Sequence, residues 1–248
     1  AVIRYTTDGI EPTVDSPQYT KPFVLTGGHV VRARAFAPGK VDLVGACARF
    51  TPPPKPIAED FEAAEIGETA PRAGTSEEGP FTARVSDEQA ASGKQSLKFV
   101  DGKGQKHPFN PHVFYRMRFE EGRMVGRFAL RVSPTSDFYY QWRKYEGGKF
   151  LRGPGVRVSQ GGKLVHEDQE LMTIPVNTWV RCEVTVPLAE DNQGTFDLKL
   201  RLADGTAKTF AGLAHEPGFD RLDWVGFVSV AADECVTFVD DIEVRPVE

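Results

Sequence analysis

Short alternating segments, cut apart by glycine and proline, run the length of the chain and leave no room for long helices. VVRARAFA (30–37), GRFALRVS (126–133), WVRCEVTV (179–186), TFDLKLRL (195–202) and TFVDDIEV (237–244) alternate at every second position or are rich in β-branched residues. That period belongs to a pleated strand, whose successive side chains leave on opposite faces. With 24 glycines and 18 prolines among 248 residues, about one position in six is a strand breaker, so the strands must be short and the turns many. No stretch carries a convincing 3.6-residue period. The expected class is all-β, built as sandwiches.

One boundary is explicit. TPPPKP (51–56) places four prolines in six residues, which cannot join a sheet interior and favours an extended spacer. It separates a unit of short strands (1–50) from a longer unit (57–248). No apolar run approaches the ~20 residues that span a bilayer, and no basic stretch followed by an apolar one appears at the start, so any export signal is expected to lie upstream or to have been removed. A net charge of −5 argues against nucleic acid as a partner. The three cysteines, Cys47, Cys182 and Cys235, show no metal-ligand spacing. Cys182 alternates with valines and reads as a small buried hydrophobe, with a Cys182–Cys235 disulfide as the alternative.

YTTDG (5–9), EPT (11–13), Tyr19, PFVL (22–25) and VVRARAFAPGK (30–40) give the first unit a likeness: it resembles the chitobiase/β-hexosaminidase C-terminal domain, a fibronectin-III-like sandwich. Asp8-Gly9 supplies the turn, since glycine tolerates positive φ. The resemblance implies about two more strands before YTTDG, so the chain is expected to be cut from a longer one. It also implies a spacer role in a secreted glycan-active protein.

In the second unit EDFEAAEIGE (59–68), ASGKQSLKFVD (91–101), NTWVRCEVTV (177–186) and LDWVGFVSVAADECVTFVDDIEV (222–244) resemble laminin-G-like and carbohydrate-binding jelly rolls. Strict alternation in TFVDDIEV puts Phe238, Asp240, Ile242 and Val244 on one face. If that face is the core, Asp240 is a buried carboxylate, which needs a partner. The resemblance implies a structural calcium ion held by Glu62 or Asp60, the main-chain carbonyl of Lys94, and Asp240 or Asp241. Calcium suits six to eight oxygen ligands in flexible geometry. Solvated or ion-paired acids are the alternative. Trp179 and Trp224 match core positions.

DFYYQWRKYEGGKF (137–150) is different. Alternation sets Tyr139, Gln141, Arg143 and Tyr145 opposite Phe138, Tyr140 and Trp142. The first set offers flat rings for pyranose faces and fixed donors for hydroxyls, and also suits an ordinary amphipathic strand. Between Lys103 and Arg157 there are 12 basic and 4 acidic residues. Arg116, Arg118, Arg127, Arg131, Arg143 and Arg157 fall on successive expected strands, so several can share one face. Guanidinium forks match carboxylate and sulfate geometry, which points to an anionic polysaccharide; pairing with the acidic strands is the alternative.

Catalytic signatures are few. HEDQE (166–170) has neither the E-x-D-x-E spacing of a jelly-roll glycosidase nor a zinc-protease H-E-x-x-H. The residue types of a polysaccharide lyase exist (His107, His112, Arg116, Tyr139, Gln141, Arg143, Tyr145), but without the short signatures expected around them. The expectation is therefore a non-catalytic carbohydrate-binding region of a secreted or cell-surface, multidomain polysaccharide-degrading protein, with the catalyst upstream. Tyr139, Gln141, Arg143, Tyr145, Arg116 and Arg157 would be its ligand-binding residues. A structural or adhesion module and a lyase-like enzyme on an acidic glycan are the alternatives.

Overall fold

A computed structural model describes residues 1–25, 28–39, 45–50 and 54–247. Thr51, Pro52 and Pro53 of the proline stretch, and Lys40 at the end of the first-unit likeness, lie outside the described residues. The chain divides into two units, Ala1–Pro54 and Lys55–Glu248.

In the first unit β1 (Val2–Thr6), β2 (His29–Phe36) and β3 (Ala46–Phe50) form an antiparallel sheet in the order β1-β2-β3. The turn after β1 is built as its residues require. Gly9 sits at φ +85°, and Asp8 Oδ1 accepts the Ile10 N–H at 3.0 Å. Tyr5 stacks on Phe23 at 4.7 Å and meets Tyr19 edge-on at 6.4 Å.

The second unit is a sandwich of two antiparallel sheets. Sheet I contains β5 (Gly74–Ser76), β8 (His112–Phe119), β10 (Phe138–Glu146), β11 (Lys149–Ser159), β12 (Lys163–His166), β13 (Gln169–Thr173) and β17 (Leu222–Ser229). Its order is β13-β12-β11-β10-β17-β8-β5. Sheet II contains β6 (Thr82–Ser86), β7 (Ser96–Asp101), β9 (Arg123–Val132), β14 (Val180–Pro187), β15 (Thr195–Arg201), β16 (Ala207–Ala214) and β18 (Cys235–Val247). Its order is β16-β15-β14-β9-β18-β7-β6, with β4 (Ile57–Glu59) paired to β18.

Alternation decides what each strand buries. Val180, Cys182, Val184 and Val186 of β14 point inward, as do Phe196, Leu198 and Leu200 of β15. They meet Phe138, Tyr140, Trp142, Val225 and Phe227 of sheet I. Phe128 lies 4.3 Å from Tyr140 and 5.3 Å from Phe227, ring centre to ring centre. Each such aromatic pair adds about 0.5–1.5 kcal/mol to the burial of its area. Gly126 makes room for this cluster: a Cβ there would fall 2.3 Å from the Tyr140 hydroxyl and 2.6 Å from Trp142.

Three expectations are corrected by this packing. First, TFVDDIEV does not alternate strictly. A register shift between Asp240 and Glu243, with Asp241 at φ +50°, reverses the phase. Phe238 and Asp240 therefore pair with outward Arg131 and Ala129, while Val239, Ile242 and Val244 enter the core. Second, the alternative of a Cys182–Cys235 disulfide falls away: both are free, buried thiols, and Cys182 is the small buried hydrophobe its alternation with valines predicts. The strand β9 lies between theirs; Cys182 pairs with Phe128, whereas Cys235 falls beyond the Thr237–Val132 pair. Burial pushes the Cys182 thiol up to about 12 and that of Cys235 up to about 11. Third, Trp179 precedes β14 half-buried and packs on Phe238 at 6.4 Å, away from the core.

Candidate active site

The outer face of sheet I gathers most of the chemistry. Along β10, Phe138, Tyr140 and Trp142 fill the core, so Tyr139, Gln141, Arg143 and Tyr145 face outward. Register then fixes their neighbours. Arg116 of β8, Trp224 of β17 and Arg143 form one row, which Arg152 of β11 continues. Phe114, Gly226, Gln141 and Gly155 form the next, and His112, Val228, Tyr139 and Arg157 the third. Tyr145 lies opposite Phe150.

Two rings lie flat on glycine. A Cβ at Gly226 would fall 1.9 Å from Trp224, and one at Gly74 would fall 2.3 Å from Phe114. Trp224 thus leaves only 2% of its surface exposed although it stands on the outer face, which corrects its assignment to the core. Phe114 stacks on it at 5.8 Å, and the Arg143 guanidinium covers it at 4.0 Å. Arg143 also lies 4.2 Å from the Phe150 ring and donates from Nε to Gln141 Oε1 at 2.8 Å. Two rings and one amide therefore hold this guanidinium in place. The G-P-G stretch 153–155 bulges β11 at this level, leaving no side chain beside Gln141 at Gly155.

The arginines divide. Arg157 is taken up by Asp137 in two bonds of 2.5 Å, and Arg118 pairs with Glu120. Arg127 and Arg131 stand on sheet II, where Arg127 bridges Glu183 and Glu243, whereas Arg116, Arg143 and Arg157 share the outer face of sheet I. Among the described residues, Arg116 and Arg143 have no carboxylate within ion-pair distance; Arg116 covers Phe114 at 5.3 Å. Two steps of about 4.8 Å across the sheet set their backbones roughly 10 Å apart.

His112 begins β8 and is partly buried. Its ring stacks on Phe114 at 5.5 Å. Nδ1 faces the Phe109 carbonyl at 3.1 Å and Asn110 Oδ1 at 3.3 Å. Both are acceptors, so Nδ1 carries the proton and Nε2 keeps its lone pair. Burial lowers the imidazole below its ordinary range, and Arg143 lowers it further by charge. His112 is neutral at pH 7 and fit to act as a base.

The acids expected to hold calcium converge on the turn 91–95, but from its N–H side. Asp240, fully buried, accepts the Ala91 and Ser92 N–H groups on Oδ2 and the Asp241 N–H on Oδ1. Glu62 Oε1 accepts Lys94 and Gln95 N–H, and Asp60 Oδ1 accepts that of Glu62. Asp241 pairs with Arg181 and the Ser92 hydroxyl. These carboxylates are thus met by N–H groups, a hydroxyl and an arginine, and among the described residues no three or more acidic, histidine or cysteine side chains are grouped to hold a metal ion.

Residues 1–44 match the chitobiase/beta-hexosaminidase C-terminal domain family. Comparison with curated protein sequences returns no match. Among solved structures, the endo-beta-1,4-glucuronan lyase of the fungus Trichoderma reesei is similar with a TM-score of 0.51 and 15% identity. That likeness covers 73% of this chain and 94% of the lyase. The cellulose-induced protein Cip1 is similar with a TM-score of 0.50 and 19% identity, over 77% of this chain and 97% of that one. Over that length the chain therefore shares the antiparallel β-sandwich fold of these two proteins. The likeness corrects the expectation that this chain is not an enzyme: the same fold, over almost its whole length, makes up a lyase. Short signatures were a poor test, because the outer-face residues come one by one from four strands.

Proposed function

We propose that this protein is a polysaccharide lyase that cleaves a uronate-containing glycan by β-elimination on the outer face of sheet I. The observation that carries this reading is an imidazole whose Nδ1 meets two acceptors, which leaves Nε2 without a hydrogen-bond partner among the described residues, on the same sheet face as the Arg143 guanidinium. Arg143 and Gln141 bind the uronate carboxylate and draw off its charge, which acidifies the adjacent C5 proton. His112 Nε2 takes that proton, and its electron pair forms the C4–C5 double bond as the C4–O bond breaks. The Tyr139 hydroxyl, across Val228 from His112, protonates the departing oxygen. Trp224 seats Arg143 from beneath, Phe114 supports the sugar ring, and Arg116 receives a second acidic residue. The site acts outside the cell, on secreted or surface-held protein, with the first unit as a spacer; the family match at residues 1–44 supports that setting. No helix among the described residues is long and apolar enough to cross a membrane.

The test is incubation with polyglucuronate, alginate and polygalacturonate, read by ultraviolet absorbance of the unsaturated product. His112→Ala should lower kcat about 10²–10⁴-fold, the usual share of a general base, and Tyr139→Phe should fall in the same range. Retention of these glycans without unsaturated product would overturn the reading.

A further inference from the structure

Beyond His112 the aromatic path continues onto the loop before β8. Phe109 is 47% exposed, yet its ring lies 5.7 Å from His112 and stacks on His107 at 5.3 Å with 21° between the planes. A single exposed phenylalanine needs no explanation. A held one, continuous with a candidate base, does. The loop is anchored from several sides. Glu78 Oε2 accepts the His107 N–H at 2.9 Å and the Asn110 side-chain amide at 3.2 Å. The Asn110 N–H donates to the His107 carbonyl, and the Pro111 carbonyl accepts the Ser229 N–H of β17 at 3.0 Å. Asn110 itself is buried. The platform is thus preformed, which spares the ordering that a mobile loop would require on binding.

From these contacts we infer an outer subsite: Phe109, backed by His107, stacks against the apolar face of a pyranose in the same glycan chain. The sugar it receives lies beyond the residue being cleaved, on the β8 side. The occupant is anionic, because the face it joins carries Arg116 and Arg143 uncompensated. This inference rests on the lyase reading for its substrate class and adds a requirement for chain length. The Phe109 side chain lies against His112 but carries no group that takes or gives a proton, and its main-chain carbonyl is kept in any substitution, so the ring contributes binding without chemistry.

Phe109→Ala and Phe109→Trp decide it, each assayed on polyglucuronate and on the shortest oligosaccharide cleaved. Alanine should raise KM on the polymer about 3- to 10-fold, the range of one aromatic contact, with kcat unchanged. It should leave the shortest substrate unaffected, and tryptophan should restore KM. Equal KM for wild type and Phe109→Ala on the polymer, or a fall in kcat, would overturn the subsite. Retention on polyglucuronate gels is read in parallel. If wild type binds without turnover, the lyase reading fails, and loss of retention in Phe109→Ala still supports the subsite while unchanged retention overturns it.

Discussion

At the scale of single residues, position in the sheet sets the chemistry. His112 owes its neutrality to burial and to the Arg143 charge. A base depressed below the usual histidine value of about 6.5 stays active at lower pH. The acidic limb of kcat/KM against pH should therefore fall below 6.5, and a limb above that value would remove His112 as the base. Asp240 runs the other way: burial pushes it up to about 6, against the pull of three backbone N–H groups. A carboxyl raised in the folded state holds its proton longer than in the unfolded chain. Its contribution is complete below about pH 4 and is lost as pH rises towards 6. Against Asp240→Asn, wild type should lose on the order of 2 kcal/mol between pH 4 and 7. Urea unfolding at both pH values measures it, and a constant difference would refute the shift.

At the scale of elements, glycines set the height of the candidate site. Gly226→Ala inserts a carbon where Trp224 lies, so the indole must lift and carry Arg143 with it. Activity should fall at least about 10-fold, consistent with the cost of small displacements at a reacting centre, while far-ultraviolet circular dichroism stays unchanged. Retained activity would show that the flat indole is dispensable. The turn 91–95 gives a second test. Carboxylates hold its N–H groups, so Tm should be equal in calcium and in chelator; a rise of several degrees with calcium would restore the metal site. The sequence made β10 legible because Phe138, Tyr140 and Trp142 alternate without a break. It hid Trp224, since an apolar strand neighbourhood looks the same whether a ring enters the core or lies on an outward glycine. It also hid the phase reversal at Asp241, where one left-handed residue overrides the pattern on either side. The partners of Tyr139 and Arg143 come from β8, β11 and β17, and pairing of distant strands leaves no local signal.

At the scale of the whole molecule, charge is arranged against its own sum. The chain carries −5 overall, yet the outer face of sheet I keeps two guanidiniums without acidic partners among the described residues. Binding of a polyanion there should weaken as salt rises, because exposed charges are screened within about 8 Å at physiological ionic strength. KM on polyglucuronate should climb with sodium chloride while kcat holds; a salt-independent KM would count against Arg116 and Arg143 as the anion contacts. The second unit also concentrates its architecture in one late strand. β18 is bonded to β9, β7 and β4, so sheet II has no continuous centre until those residues arrive. On a ribosome, the earlier strands would wait with their apolar faces open through most of synthesis. Closure then joins segments far apart in sequence, which makes folding slow and leaves partly built sheets prone to association. The yield of soluble protein should thus depend on how fast the last strand docks, a kinetic liability written into the topology and independent of how stable the finished sandwich is.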